Sequence, residues 1–158
     1  MPCITSKNEL PGKKSMVKTA VLRRLLNNLE GYVNDLRNAT DITREKYLKD
    51  IRLQRFVERT LHIAIECCFD IIHHIISEKG LREPVSYADA FTILAENGIL
   101  SPDSVAEFHL MAQFRNKIVH YYDKIDLEQV YAIFKGKLQT FDSFRFQIEK
   151  WINLQKNT

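Results

Sequence analysis

DIRLQRFVERTLHIAIECCFDIIHHIISEK, residues 50–79, reads as one long helix with neither proline nor glycine to break it. Ile51, Phe56, Val57, Leu61, Ile65, Cys68, Phe69, Ile72, Ile75 and Ile76 recur at three- and four-residue steps. They cover a face too wide for a helix that packs on one side only, and such width suits the centre of a bundle. Gly80 closes the helix in the usual C-terminal fashion, and Pro84 keeps the following linker extended.

The flanking sequence supplies the helices that would surround it. Leu22, Leu25, Leu26, Leu29, Val33 and Leu36 form one apolar stripe between Val17 and Asn38, which Gly31 weakens without ending. Thr43 is an N-cap for a short turn to Leu48. Ser86 caps a shorter helix that runs to Glu96 and stops at Asn97-Gly98. Ser101-Pro102 starts another in the order of cap and first-turn proline, with Phe108, Met111, Ala112 and Val119 turned inward. Asp126 opens a last long helix whose stripe is Val130, Phe134, Leu138, Phe141, Ile148, Trp151 and Ile152. The expected fold is all-α, an up-and-down bundle of four main helices plus a shorter fifth. Residues 1–16 are polar, contain Pro2, Pro11 and Gly12, and are expected to be a disordered extension preceding a helical domain over 17–155.

A net charge of +3 suggests nucleic acid, but its placement limits the idea. Lys7, Lys13, Lys14, Lys18, Arg23 and Arg24 against Glu9 give residues 1–24 a balance of +5, leaving −2 for the rest. Any RNA contact is therefore local. Cys3, Cys67 and Cys68 form neither a zinc spacing nor a disulfide framework, which suits a reducing cytoplasm. No signal peptide is recognised, and no apolar run is read as spanning a membrane.

Chemistry concentrates in Arg115-Asn116-Lys117-Ile118-Val119-His120-Tyr121-Tyr122. An arginine fork can grip a phosphate through two parallel bonds, and an imidazole can exchange a proton near neutral pH. Together they outline phosphodiester cleavage without a metal. Five residues of ideal helix leave Arg115 and His120 roughly 140° out of register. A kink, a helix end inside the motif or pairing of two protomers would bring them together. A symmetric dimer with the motif at its seam, assisted by a local kink, is the arrangement expected. The plainer reading makes Arg115 and Lys117 surface charges and His120 a packing residue. Tyr121 and Tyr122 lie about 100° apart on a helix, so one can be buried and the other exposed.

Arg115, Asn116, His120 and Tyr122 match the R-x4-H-x-Y signature, with its following Asn, that marks the HepT-like branch of HEPN-domain proteins. The chain resembles this branch, the toxin halves of HEPN/MNT toxin–antitoxin pairs, over roughly Val17 to Trp151. The likeness includes Phe56-Val57-Glu58-Arg59-Thr60-Leu61, Ile71-Ile72-His73-His74-Ile75-Ile76, Pro84-Val85-Ser86-Tyr87-Ala88-Asp89, Met111-Ala112-Gln113-Phe114 and Asp123-Lys124-Ile125-Asp126. The resemblance implies a HEPN bundle acting as a homodimer, with RNA as substrate and composite sites that cleave it without a metal or other cofactor. His120 would move the proton, Arg115 would stabilise charge on phosphate oxygens, and Asn116 would assist. Tyr122 would be the tyrosine to which a partner MNT-type nucleotidyltransferase antitoxin attaches AMP. A non-catalytic, substrate-binding subunit of a nucleotidyltransferase complex is the alternative, and a purely structural helical dimer is a third.

The remaining polar clusters read as structural. Asp70 and His73 have the i, i+3 spacing of bundle metal ligands but lack the second pair a di-metal site needs. His62, Glu66 and His74 are taken with them as polar flanks or interface hydrogen-bonders, with Glu66 left as a residue that could orient groups near the pocket. Cys67 and Cys68 read as packing, and Phe141, Phe144, Phe146 and Trp151 as core or interface aromatics.

Overall fold

The structure, a computed structural model, describes residues 11–157, and side chains from Thr19 onward. Residues 1–10 of the expected extension lie outside the described residues, as does Cys3. Seven α-helices are present among the described residues: α1 Pro11–Asn38, α2 Arg44–Lys49, α3 Ile51–Lys79, α4 Tyr87–Glu96, α5 Val105–His120, α6 Leu127–Gly136 and α7 Gln139–Lys156. Helix α1 is described from Pro11, so the boundary expected at residue 17 falls inside it. The four long ones, α1, α3, α5 and α7, are the expected main helices.

Helix α3 is the centre. It packs against α1, α2, α4, α5 and α6, while α7 closes against α1. Val57, Leu61, Ala64, Ile65, Cys68, Phe69, Ile71, Ile72 and Ile75 are each almost completely withdrawn from water. By length and apolar composition α3 would also qualify to cross a membrane, which the reading of the sequence did not recognise. Most of that apolar stretch is buried in the bundle. Phe69, Phe91, Phe108 and Phe144 lock α3, α4, α5 and α7 together, with Phe91 centred 5.3 Å from both Phe69 and Phe108 and 6.0 Å from Phe144. These tilted, edge and stacked arrangements are the ones ring quadrupoles favour.

Local sequence signals account for most helix ends. Thr43 Oγ1 accepts from Lys46 N, Asp50 Oδ1 from Arg52 N, Ser86 Oγ from Asp89 N and Asp126 Oδ1 from Glu128 N. Gly80 takes the left-handed conformation at φ 61°, and Leu81 N then donates to Ile76 O at 3.0 Å. A Cβ at this position would meet nothing within 4 Å, so the strain of Gly80→Ala is purely conformational. It should destabilise the fold by about 1–2 kcal/mol, read as a lower urea midpoint with unchanged slope.

Val119 and Ile51, expected on inward faces, are exposed, and two expected helix junctions also need correction. Ser101 makes no side-chain cap; a 3₁₀ turn, Pro102–Ser104, intervenes before α5, and Ser101 N donates instead to Gln147 Oε1 at 2.6 Å. The last long helix is really two. Gly136 ends α6, Gln139 Nε2 donates to the Gly136 carbonyl at 2.8 Å, and the chain re-enters helix through short bonds from Thr140 N and Phe141 N. The stripe runs through the break because Phe134, Leu138 and Phe141 stay in the core on both sides of it.

Candidate active site

Helix α5 is unbroken from Val105 to His120 and stops there, with Tyr121 at its C-terminal cap. Arg115 and His120 therefore leave one continuous helix on different faces. The Arg115 side chain is only 12 % exposed and turns toward α3 and α4. Its Nε donates to Glu66 Oε1 at 2.7 Å, and its Nη2 donates to the Tyr87 hydroxyl at 2.8 Å. Its Cζ lies 3.8 Å from the centre of the Tyr87 ring, whose centroid in turn is 4.4 Å from that of Phe69. The guanidinium is thus tied to a carboxylate and to a phenol that is itself packed on the core aromatics. Its Nη1, 3.5 Å from Asn116 Oδ1, is the donor edge left toward solvent.

A second layer holds Glu66. His62 Nε2 is 3.5 Å from the same Glu66 Oε1, and His62 Nδ1 is 3.4 Å from Arg59 Nη1. An arginine can only donate, so His62 Nδ1 accepts and its proton sits on Nε2, facing the carboxylate. Burial, ahead of the charges around it, lowers the His62 pKa below its ordinary value, which keeps the ring neutral in this role.

His120 is exposed at the end of α5, and no hydrogen bond or ion pair holds it among the described residues. Tyr121 and Tyr122 are both open to water, 57 % and 75 % exposed, rather than divided between core and surface. The helical angle between them does not apply, because Tyr121 has left the helix at φ −134° and Tyr122 begins a 3₁₀ turn ending at Lys124. The motif thus places one fixed cation and one free imidazole on the same rod, with a free phenol just beyond.

A family model described as "Ribonuclease HepT-like" matches residues 29–148. The chain belongs to the HepT-like ribonuclease family. Among curated proteins of the family it is 26% identical over 136 residues to "tRNA nuclease HepT" of Aphanizomenon flos-aquae, covering 86% of this chain and 92% of that protein. It is 28% identical over 127 residues to "mRNA nuclease HepT" of Shewanella oneidensis, covering 80% and 90%. The solved structure of a tri-AMPylated Shewanella oneidensis HEPN toxin in complex with MNT antitoxin superposes with a TM-score of 0.75 at 25% identity, covering 82% of this chain and 97% of that one.

Sequence reasoning missed Tyr87 and gave Glu66 no firm part. Tyr87 sits in the quoted Pro84–Asp89 segment but is 28 residues from Arg115, a distance no helical periodicity can bridge. Two other histidines, His74 on α3 and His109 on α5, have structural neighbours. His74 Nε2 lies 2.8 Å from Glu78 Oε1, and Thr92 Oγ1 meets His109 Nε2 at 2.9 Å between α4 and α5. Burial raises the Asp70 carboxyl pKa, with the nearby Glu66 charge adding to it. Cys67 and Cys68 are free and buried; Cys67 Sγ is 3.2 Å from the Leu25 carbonyl, and burial pushes its thiol up to about 11.

Proposed function

We propose that this chain is the toxin half of a HEPN/MNT pair, a homodimeric cytoplasmic endoribonuclease switched off by a nucleotidyltransferase partner. What supports it most directly is the arrangement of α5: Arg115 is anchored within its own subunit, while His120 projects about 140° away on the same helix. A two-fold axis at this helix sets the histidine of one subunit opposite the arginine of the other. Family membership and the similarity to a HEPN toxin held by an MNT antitoxin support the same reading. The buried free thiols of α3 suit a reducing compartment.

In this reaction the nucleophile lies within the RNA. The ribose 2′-oxygen attacks the adjacent phosphorus, His120 accepts the hydroxyl proton, and the O5′–P bond breaks. The departing O5′ takes a proton from the second imidazole of the composite site or from water. The products are a 2′,3′-cyclic phosphate and a 5′-hydroxyl end. Arg115 Nη1 stabilises charge growing on a non-bridging oxygen, and the fixed guanidinium needs little rearrangement to do so. Asn116, at the same edge, orients that donor or a substrate hydroxyl.

Tyr122 is the modification site in this reading. Its phenol oxygen attacks the α-phosphorus of ATP bound by the partner, and pyrophosphate leaves. The added phosphate charge and nucleotide bulk then occupy the approach to His120 and Arg115. The test is RNA cleavage by the purified chain with chelator present, followed by addition of the partner and ATP. Cleavage should persist in chelator and fall as AMP is attached. Tyr122→Phe should keep cleavage within about twofold and resist the partner, since an exposed hydroxyl contributes little to the fold. Equal AMP labelling of that variant would remove Tyr122 from the role. Tight partner binding without any cleavage would instead favour the non-catalytic substrate-binding subunit.

A further inference from the structure

Between α5 and α6 a recess of about 490 Å³ opens beside the motif, lined by Phe114, Lys117, Tyr121, Lys124, Asp126 and Gln129 among others. It shares Phe114, Lys117 and Gln129 with a narrower, mainly apolar cleft of about 190 Å³ that also reaches Lys137. Its volume is in the range of sites that enclose one small ligand, roughly 300–1,000 Å³. Lys117 Nζ reaches Gln129 Oε1 at 3.5 Å across it, and Lys117, Lys124 and Tyr121 are all exposed. Asp126, the one acid on this wall, is committed to capping α6 through Glu128 N at 2.9 Å.

The recess belongs to one side of the motif. Lys117 and His120 are roughly 60° apart around α5, whereas Lys117 and Arg115 are roughly 160° apart. Arg115 also has its charge balanced within the subunit by Glu66, and residues beyond the first 24 carry a net −2. Phosphates flanking the one that Arg115 of the facing copy would grip need other cations. Two lysines and an exposed aromatic ring in one concavity are what single-stranded nucleic acid needs: charge along the backbone and a flat face for a base.

We infer that this recess holds the nucleotide adjoining the scissile phosphate of a single-stranded RNA, its base stacked on Tyr121 and its phosphates against Lys117 and Lys124. The inference rests on the ribonuclease reading and adds to it where the substrate lies. It makes Tyr121 and its neighbour Tyr122 differ in kind, one gripping substrate and the other accepting the modification.

The experiment measures binding of a fluorescent single-stranded RNA of about twelve nucleotides to the full chain by anisotropy across a salt series. His120→Ala is the background, so that the probe survives. Adding Lys117→Ala with Lys124→Ala should weaken binding about tenfold and flatten the log–log salt slope by about 1.4, two contacts at roughly 0.7 each. Tyr121→Ala should weaken it about tenfold, and Tyr121→Phe should restore it. In the chain with His120 intact, the lysine pair should raise KM while kcat holds within about twofold. Unchanged affinity and slope, in a parent that binds and cleaves RNA, overturn this inference and leave the ribonuclease reading standing. So does loss of nucleotidyltransferase binding with RNA affinity intact, which would assign the recess to protein docking. A parent that neither binds nor cleaves RNA overturns both.

Discussion

Replacing His120 by alanine leaves a folded helical protein whose RNA cleavage falls by about 10²–10⁴-fold, the span a positioned proton-transfer group supplies. The fold survives because the imidazole is exposed at the last residue of α5 and holds nothing among the described residues. A surface change of this kind shifts stability by no more than about 0.5 kcal/mol. Cleavage and thermal unfolding measured on the same preparation separate the two quantities. Full cleavage by the variant would end the assignment of His120 to the reaction. Mixing His120→Ala with Arg115→Ala subunits carries more information. A site built from two chains regains up to one competent centre per mixed dimer, whereas a site built within one chain regains none.

Arg115→Ala is the second large effect, and it has two separable parts. Cleavage should fall by about 10²–10³-fold, as when one donor to a developing oxyanion is removed. Stability should fall as well, because Tyr87 and Glu66 lose the group that joins α4 to α3 through α5. Glu66 is still 37 % exposed, and water partly replaces the lost bond, so this cost lies near 1 kcal/mol. Arg115→Lys restores a charge but cannot serve Glu66, Tyr87 and a phosphate at once from a single ammonium group. It should recover most of the stability and less than a tenth of the activity, with denaturant midpoint and kcat as the two readouts. Activity fully restored by lysine would show that charge alone matters and that the fork does not.

The contrast between these side chains shows what the sequence could reveal. Thr43, Ser86, Asp126 and Gly80 were legible because a cap or a left-handed turn is decided within four residues. The width of the α3 stripe was legible for the same reason, and it correctly placed that helix at the centre. Ser101 failed because Ser104 N donates to the Ser101 carbonyl in a 3₁₀ turn and not to its hydroxyl, while Gln147, 46 positions away, takes the Ser101 N–H. The break at Gly136 was hidden by a stripe that continues in the core with Leu138 and Phe141. In the site, the identities of Arg115 and His120 could be read from type and spacing, and their separation on an ideal helix followed from five residues of rotation. The surroundings could not. Tyr87 and Glu66 reach Arg115 from two other helices, and the exposure of both tyrosines depends on where α5 ends rather than on which residues follow.

The bond from Arg115 to Glu66 also bears on how such a protein behaves when scarce. Each solitary subunit already keeps its guanidinium parked in place, so pairing adds no cost for organising it, and under the proposed composite site a lone copy lacks only the His120 imidazole on the phosphate side of that group. If the site is built from two copies as proposed, output follows the number of encounters between them. Halving the amount in a dilute cell would remove more than half of the killing power, giving the host a threshold below which leaky expression is harmless.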